Sequence, residues 1–288
     1  MQAHMQAHMQ AHMQASEPIA AVVTATIGKP SLEQAILSVK NQTIPCKHYV
    51  FVDGKQYWKA AKEILDKYPD VIATYLPMNT GQLSFKNSAI FSLAPFTVKE
   101  EFIGFLDDDN WFELQHMEEA VRSIQDNEVD YAYSLRNKIF VYGDRHFICQ
   151  DTVESIGHFK RALPNEIRVD FQDTGVQLVN RMAKGAPLVD ASCYVMRKNI
   201  AIRVASAWYE GAIVNDRNVL KRLTDINAKS VCVGKYNVNY RTMLDKELIT
   251  SLMNNLNEDE VLSTLYVFYE EINNQHRRMF GGKFPWEA

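Results

Sequence analysis

Short apolar runs rich in β-branched residues alternate with segments whose apolar residues recur every three or four positions, starting at residue 19. The runs are typical of buried strands, and the segments of amphipathic helices. The predicted strands are IAAVVTAT, HYVFVDG, VIATYL and EFIGFL, and the predicted helices cover about 31–42, 57–68 and QLSFKNSAIFSLA. Ser31 is the expected N-cap of the first helix, with Gln34 three residues later. Four strands alternating with three helices predict an α/β fold with a mostly parallel central sheet flanked by helices.

The second half of the chain has a different pattern. Residues from about 131 to 147 alternate like a hairpin around YGDR, and a polar, irregular stretch follows to about 185. PLVDASCYVMR predicts a buried strand, NDRNVLKRL a helix, and SVCVG and YNVNYR two extended segments. The C-terminal region is predicted to be helical, with Asn257 and Glu260 forming a capping box at the start of its last helix.

Three adjacent acids end the fourth predicted strand, in FIGFLDDDNW. Asp107, Asp108 and Asp109 repel one another and raise one another's pKa unless a positive charge lies among them. An Asp-x-Asp directly after a buried strand suits Mg²⁺ or Mn²⁺, which take oxygen ligands and are commonly shared with substrate phosphates. The triplet lacks the glycine and distal glutamate of an EF-hand loop. The alternative to a metal site is a strand end at which Asp109 or Asn110 caps the next helix, although one capping residue would not require three adjacent acids.

Several other polar residues directly follow predicted strands. Thr26, Asp53 and Asn79 share this position with the acidic triplet. In parallel sheets the ligand site lies beyond the carboxyl ends of the strands. We therefore expect these side chains to meet at one edge of the sheet.

Composition narrows the class of protein. The 288 residues are 47% hydrophobic and carry a formal net charge of −4, which argues against a general binder of polyanions. The four cysteines form no CxxC pair, so a zinc site or disulfide framework is not expected. No apolar run approaches the roughly 18 residues of a membrane span, and the N-terminus does not resemble a secretory signal. These features predict a cytoplasmic protein and leave open a peripheral position at a membrane.

The first 15 residues repeat the unit MQAH. Histidines at four-residue spacing would share one face of a helix, where two could hold a metal. A low-complexity tail is the favoured interpretation, because no core or supporting shell accompanies the repeat.

Five motifs resemble those of a family 2 glycosyltransferase of the GT-A fold. They are VVTAT, ILSVKNQT, VFVDG, NTGQLSFKNSAI and GFLDDDNWF, in the order and spacing of that family across about residues 20–119. The resemblance implies a nucleotide-diphosphate sugar, with a UDP-sugar as the first choice, and Mn²⁺ or Mg²⁺ as cofactor. Only one acid precedes the glycine of VFVDG, where the family often has two, so the identity of the base stays open.

The resemblance also implies roles for individual residues. Thr24, Thr26 and Asp53 would hold the base and ribose, Lys86 would face the diphosphate, and Asn87 would support the donor loop. Asp107 would meet the ribose or sugar and, with Asp109, the metal; Asn79 and Asp108 complete the implied donor-binding set. The alternatives are that Asp53 only closes a turn with Gly54 and that Lys86 is only a solvated helix residue.

The implied catalytic base is Asp216, in YEGAIVNDRNVLKRL. An acid at a helix N-terminus is kept ionised by the helix dipole. Asp216 as a capping acid is the alternative, and Asp190 and Glu210 are the reserve candidates. A third metal ligand cannot be assigned.

The expected activity is metal-dependent, inverting transfer of a sugar to the hydroxyl of a glycan, lipid, protein or modified nucleic acid. The expected division is a tail (1–16), a nucleotide-sugar-binding half (17–125), an acceptor-binding and catalytic half (126–245) and a helical extension (246–288). A nucleotidyltransferase that makes nucleotide-sugars is an alternative, but TATIGKP lacks the glycine-rich, basic loop such an enzyme would show. The second alternative is a protein that binds a nucleotide-sugar without catalysis.

Overall fold

The computed structural model describes residues 17–82, 85–161, 163–164, 166–181 and 187–287. The MQAH tail lies outside these residues. Four parallel strands form the first half of the main sheet, in the order β3-β2-β1-β4. They are β1 (Ala20–Thr26), β2 (Cys46–Asp53), β3 (Ile72–Leu76) and β4 (Phe102–Phe105). The helices between them are α1 (Leu32–Lys40), α2 (Trp58–Leu65) and α3 (Ser88–Leu93).

The second half of the sheet continues from β4 in the order β10-β6-β11-β5, with β7 paired to β6. The strands are β5 (Trp111–Phe112), β6 (Tyr131–Tyr142), β7 (Arg145–Gln150), β10 (Tyr194–Arg197) and β11 (Ser230–Met243). β10 is antiparallel to both β4 and β6, and β11 is parallel to β6. β6 and β11 therefore run in the same direction as β1–β4, and the carboxyl ends of all six strands face the same edge of the sheet.

The remaining described elements are mostly helical. They are α4 (His116–Asp126), α5 (Lys198–Arg203), α6 (Ala205–Gly211), α7 (Asn215–Asp225), α8 (Lys246–Leu252) and α9 (Glu258–Met279). Strands β8 (Glu166–Phe171) and β9 (Val176–Arg181) form a separate antiparallel hairpin. Among the described residues, no helix combines the length and apolarity needed to cross a membrane.

Most predicted elements are confirmed, with four differences. Ser31 precedes α1 but makes no side-chain cap, and Gln34 instead accepts a hydrogen bond from Arg241. The third helix is shorter than predicted and begins at residue 88, because Lys86 has a positive φ of 48° that no helix tolerates. The irregular stretch contains the β8–β9 hairpin, and the two extended segments form the single strand β11.

Two of the four apolar clusters in the described part of the chain contain most of its buried core. The larger lies between the main sheet and its flanking helices, where Trp208 of α6 packs against Phe91 and Phe105 with ring centroids 5.4 and 4.9 Å apart. The smaller cluster packs α8 and α9 against β7 and the β8–β9 hairpin. The capping box of Asn257 and Glu260 at the start of α9 is present as predicted. The sheet edge that carries the polar residues is thus supported on its flanks by a packed core.

Candidate active site

A cavity of about 450 Å³ opens at the carboxyl edge of the sheet. Most of its lining follows directly from strands β1, β2 and β4 or lies at the end of β11. The polar lining residues are Thr26, Lys29, Asp53, Tyr57, Asn79, Lys86, Asn87, Asp107, Asp108, Asp109, Tyr240 and Arg241. The expected convergence at one sheet edge is therefore present in the structure.

Asp53 is buried and joins β2 to the loop that follows β3. Its Oδ1 accepts hydrogen bonds from the backbone N–H and the hydroxyl of Thr80, at 2.7 and 2.9 Å, and its Oδ2 accepts one from the N–H of Gly81 at 2.8 Å. The side chain of Asn79 accepts a second contact from the same N–H at 2.9 Å. Asp53 does more than close a turn with Gly54, because it fixes the shape of a neighbouring wall of the cavity.

The loop of residues 79–87, described except for 83 and 84, is closed on itself. The N–H of Lys86 donates to the carbonyl oxygen of Gly81 at 3.1 Å. A Cβ at Gly81 would meet that lysine's own carbonyl oxygen at 2.5 Å and Asp53 Oδ2 at 3.1 Å, so this loop can close only around a glycine. This closure holds Lys86 at the cavity wall.

The three aspartates point to different partners. Asp107 Oδ1 accepts a hydrogen bond of 2.5 Å from the side-chain amide of Asn87. Asp108 Oδ2 accepts one of 2.7 Å from the Thr26 hydroxyl. Lys29, on the loop after β1, donates to both Asp108 and Asp109 at 3.0 and 2.8 Å. In this arrangement the positive charge that the triplet requires is supplied by a lysine.

Lys29 compensates the triplet only in part. Burial would lower the pKa of Lys29, but attraction to Asp108 and Asp109 raises it above its ordinary value. Burial, followed by repulsion from Asp190 and Asp109, raises the pKa of Asp107 to about 8. Burial and the neighbouring carboxylates thus disfavour the charged form of Asp107, and a cation bound beside it would stabilise that form.

The donor set of the triplet suits a hard divalent ion. Asp107 and Asp109 are half-buried, line the same cavity and offer carboxylate oxygens. Among the described residues, no group of three or more His, Cys, Asp or Glu side chains could hold a metal. Because Mg²⁺ usually keeps several waters and uses one or two carboxylates together with substrate phosphates, two carboxylates fit such an ion.

Asp216 lies beside this cavity rather than in its lining. It is half-buried in the first turn of α7, which begins at Asn215 as predicted. The side chain of Asn215 donates to Asn87 Oδ1 at 2.8 Å, and Asn87 in turn holds Asp107. Burial and repulsion from Asp190 raise the pKa of Asp216 to about 6. Hydrogen-bonded side chains thus connect the start of α7 to the acidic triplet.

The two reserve candidates for the base are engaged elsewhere. Asp190 is buried, pairs with Arg136 at 2.6 Å and accepts a hydrogen bond from the N–H of Ser192 at 2.9 Å. Glu210 pairs with Arg222 at 3.1 Å on the surface of α6 and α7. Both carboxylates already have cationic partners, so their geometry favours Asp216 as the base.

One residue of the implied donor set is placed differently. Thr24 does not line the cavity: it is fully buried, and its hydroxyl lies 2.9 Å from His48 Nε2. It precedes the strand end by two residues, which is about 7 Å at the rise of a β-strand. We therefore expect no donor contact from Thr24.

Sequence reasoning missed four lining residues with polar side chains: Tyr57, Lys29, Tyr240 and Arg241. The position of Lys29 in the loop directly after β1 was a usable signal, because that loop lies at the same sheet edge as the triplet. Tyr57 follows β2 at that same edge and carried the same signal. Tyr240 and Arg241 gave no local signal, because they reach the cavity only through the pairing of β11 with β6.

Comparisons with known proteins identify the family and the fold. The model of Glycosyl transferase family 2 matches residues 21–183. No curated protein matches the sequence. The crystal structure of residues 1–349 of S. aureus TarS gives a TM-score of 0.51 at 12% identity, and the match covers 77% of this chain and 60% of that one. The structure of the same fragment in complex with UDP gives a TM-score of 0.50 at 14% identity, and the match covers 91% of this chain and 72% of that one. The first match thus spans less than two thirds of the TarS fragment.

These structural likenesses concern the fold alone, and they confirm the predicted α/β architecture of the GT-A type. The family match covers more than half of the 288 residues, from within β1 to beyond β9. The chain belongs to glycosyl transferase family 2.

Proposed function

We propose that this enzyme transfers a sugar from a UDP-sugar to an acceptor hydroxyl, with inversion at the anomeric carbon and with a divalent metal. The observation that carries the proposal is the convergence of Thr26, Asp53 and the acidic triplet on one cavity of about 450 Å³. This volume falls within the roughly 300–1,000 Å³ of small-molecule sites. The UDP complex of the TarS fragment supports uridine as the base.

The lining suggests how the donor lies. Thr26, Asp53 and Asn79 line the part of the cavity that follows β1 to β3, where the base and ribose would bind. Lys86 is a cation on the loop that Asp53 anchors, so it would face the diphosphate. Lys29 would offer a second ammonium group if the diphosphate drew it away from Asp109.

The transfer step needs one base on the acceptor side. The acceptor oxygen would bond to the anomeric carbon while the bond from that carbon to the diphosphate oxygen breaks. The hydroxyl proton would pass to the Asp216 carboxylate, and the nucleoside diphosphate would leave with the electron pair. A pKa of about 6 leaves Asp216 largely ionised near neutral pH yet basic enough to accept a proton.

Asp107 and Asp109 would hold the divalent ion, and Asn87 would orient Asp107 through its 2.5 Å hydrogen bond. When bound, such an ion stabilises the negative charge that develops on the leaving diphosphate.

Release of nucleoside diphosphate from a panel of nucleotide-sugars, with and without cell-extract acceptors, tests the activity. Asp216→Asn keeps the size of the side chain but removes its basicity, so transfer should fall by about 10²–10⁴ while donor affinity persists. The matched control is Asp225→Asn at the other end of α7, where Asp225 pairs only with the exposed Lys221. Turnover of Asp216→Asn within a few-fold of wild type would exclude Asp216, and no release from any donor would contradict the proposal.

A further inference from the structure

A second cavity, of about 290 Å³, lies at the same sheet edge as the first. Its walls come from α1, from β5 and from the far ends of β6 and β11 with the β6–β7 turn. The lining residues that matter here are Gln34, Trp111, Asp144, Arg145, His146 and Arg241. Arg241 lines both cavities, so they are neighbours separated by one side chain.

Arg241 is held firmly in this shared wall. Its backbone N–H donates at 3.0 Å to Oδ1 of Asn110, the residue that directly follows the acidic triplet. Its Nη2 donates to Gln34 Oε1 at 3.1 Å, and its guanidinium carbon lies 5.8 Å from the centre of the Trp111 ring. Its Nε is buried and has no hydrogen-bond partner within the described part of the chain. A fixed guanidinium with unused donor capacity thus adjoins a half-buried aromatic ring.

The charge of the second cavity is nearly balanced. Arg145 forms ion pairs with Glu258 and Asp259 at the start of α9, which compensate its charge. Asp144 adds a negative charge to the lining, and the contact of Arg241 with Gln34 is to a neutral amide. A small net charge favours a neutral, hydroxyl-rich ligand over a phosphate, which would call for several uncompensated cations.

We propose that the second cavity is an acceptor subsite that binds one neutral sugar ring, an inference that rests on the proposed transfer function. The C–H face of the ring would stack on Trp111, and its hydroxyl oxygens would accept hydrogen bonds from Arg241 and His146. The cavity lies at the lower limit of small-molecule sites, about 300 Å³, which suits one ring better than a nucleotide. A sugar ring in this subsite would then lie next to the donor cavity, with Arg241 between them.

The test uses the full chain labelled with 5-fluorotryptophan, observed by ¹⁹F NMR. The Trp111 resonance is assigned by its loss in Trp111→Phe. The probes are the methyl glycosides of glucose, galactose, mannose and N-acetylglucosamine, each titrated with and without saturating UDP and Mn²⁺. At least one glycoside should shift the Trp111 resonance in the presence of UDP, and the resonance of Trp208, which is fully buried in the core, should stay in place.

Arg241→Gln should weaken the glycoside that binds by at least tenfold. His146→Gln keeps a hydrogen-bond donor and should weaken it less. UDP binding, followed by calorimetry on the same samples, reports separately on the donor cavity.

Three results would overturn the inference, and a fourth would contradict only the transfer function. No shift of Trp111 with any glycoside would exclude a sugar subsite. Displacement of the glycoside by UDP would place the sugar in the donor cavity. Loss of UDP affinity but not of glycoside affinity in Arg241→Gln would assign Arg241 to the donor. A Trp111 shift without any UDP binding would instead leave the sugar site standing and contradict the transfer function.

Discussion

Two groups of aspartates in this protein differ in how a neighbouring cation compensates their negative charges. In the buried cluster, Arg136 pairs with Asp151 at 2.7 Å and with Asp190 at 2.6 Å, and the three side chains are 4, 2 and 7% exposed. In the open cluster, Asp107–Asp109, only Asp108 and Asp109 share Lys29, whose side chain is 42% exposed. Both groups place carboxylates around one cation at neighbouring positions of the sheet.

The difference lies in how completely the charges are satisfied. The guanidinium of Arg136 also reaches Glu154 at 3.0 Å, and Asp151 accepts backbone N–H groups of residues 153–155. Burial would raise the pKa of Asp151, but Lys138 and Arg136 hold it well below its ordinary value. The open cluster instead leaves the pKa of Asp107 raised to about 8. A saturated cluster serves the fold, whereas an unsaturated one has capacity left for a ligand.

The largest expected effect tests the structural role of the buried cluster. Arg136→Met removes the only guanidinium between Asp151 and Asp190, so two buried carboxylates lose their partner. The free energy of unfolding should fall by about 3–5 kcal/mol, as measured by urea denaturation. Arg136→Lys keeps the positive charge but lacks the several N–H donors of the guanidinium, so its free energy of unfolding should fall less than that of Arg136→Met. Equal stability of Arg136→Met and wild type would show that the two clusters do not differ in the proposed way.

Asp109→Asn tests the open cluster. Removal of one of three adjacent charges relieves repulsion, so stability should stay equal or rise slightly. Donor affinity in the presence of Mn²⁺ should fall by about 10- to 100-fold, which corresponds to loss of one charge-assisted contact of about 1.5–3 kcal/mol. Calorimetric titration with UDP, with and without Mn²⁺, separates the two effects. Unchanged affinity in both series would remove the metal role of Asp109.

The pH dependence of transfer reports how the buried cluster acts on the site, because Asp190 helps to raise the pKa of Asp216. A base works only when it is deprotonated, so kcat should rise about tenfold per pH unit up to about 6 and level off above it. Asp190→Asn removes that repulsion and should move the inflection to lower pH. A profile that stays flat between pH 4 and 7 would contradict this role of Asp216.

The smallest effect is expected for Lys29→Met. The ammonium is 42% exposed, so the free energy of unfolding should change by less than about 1 kcal/mol, far less than for Arg136→Met. Its loss should make donor binding more dependent on Mn²⁺, because the ion becomes the main counter-charge of Asp109. UDP titrations over a range of Mn²⁺ concentrations measure this, with Lys62→Met on exposed α2 as the control. A loss of stability close to that of Arg136→Met would place Lys29 among the structural cations.

Local pattern explains why the first half of the sheet and its polar edge were predictable. Each of its strands is a continuous apolar run, and Thr26, Asp53 and the triplet directly follow such runs, so their meeting at one edge follows from parallel pairing. The buried cluster was not predictable, because Arg136 lies on β6, Asp151 follows β7, and Asp190 precedes β10. Their contact depends on how three separate segments pack. The β8–β9 hairpin was missed although EIRVDF alternates polar and apolar residues, which is the period of a half-buried strand, while VQLVNR alternates less regularly.

The two glycines that bound the cavities leave different room for evolutionary change. Gly81 is enclosed, since any side chain there would meet Lys86 and Asp53, so this position of the 79–87 loop cannot gain bulk without a change of shape. Gly143, at the tip of the β6–β7 turn beside the second cavity, has nothing within 4 Å of where a Cβ would stand. Exposed turns of this kind accept insertions. Relatives of this protein are therefore expected to keep the shape of the first cavity and to vary the second through the length of one turn.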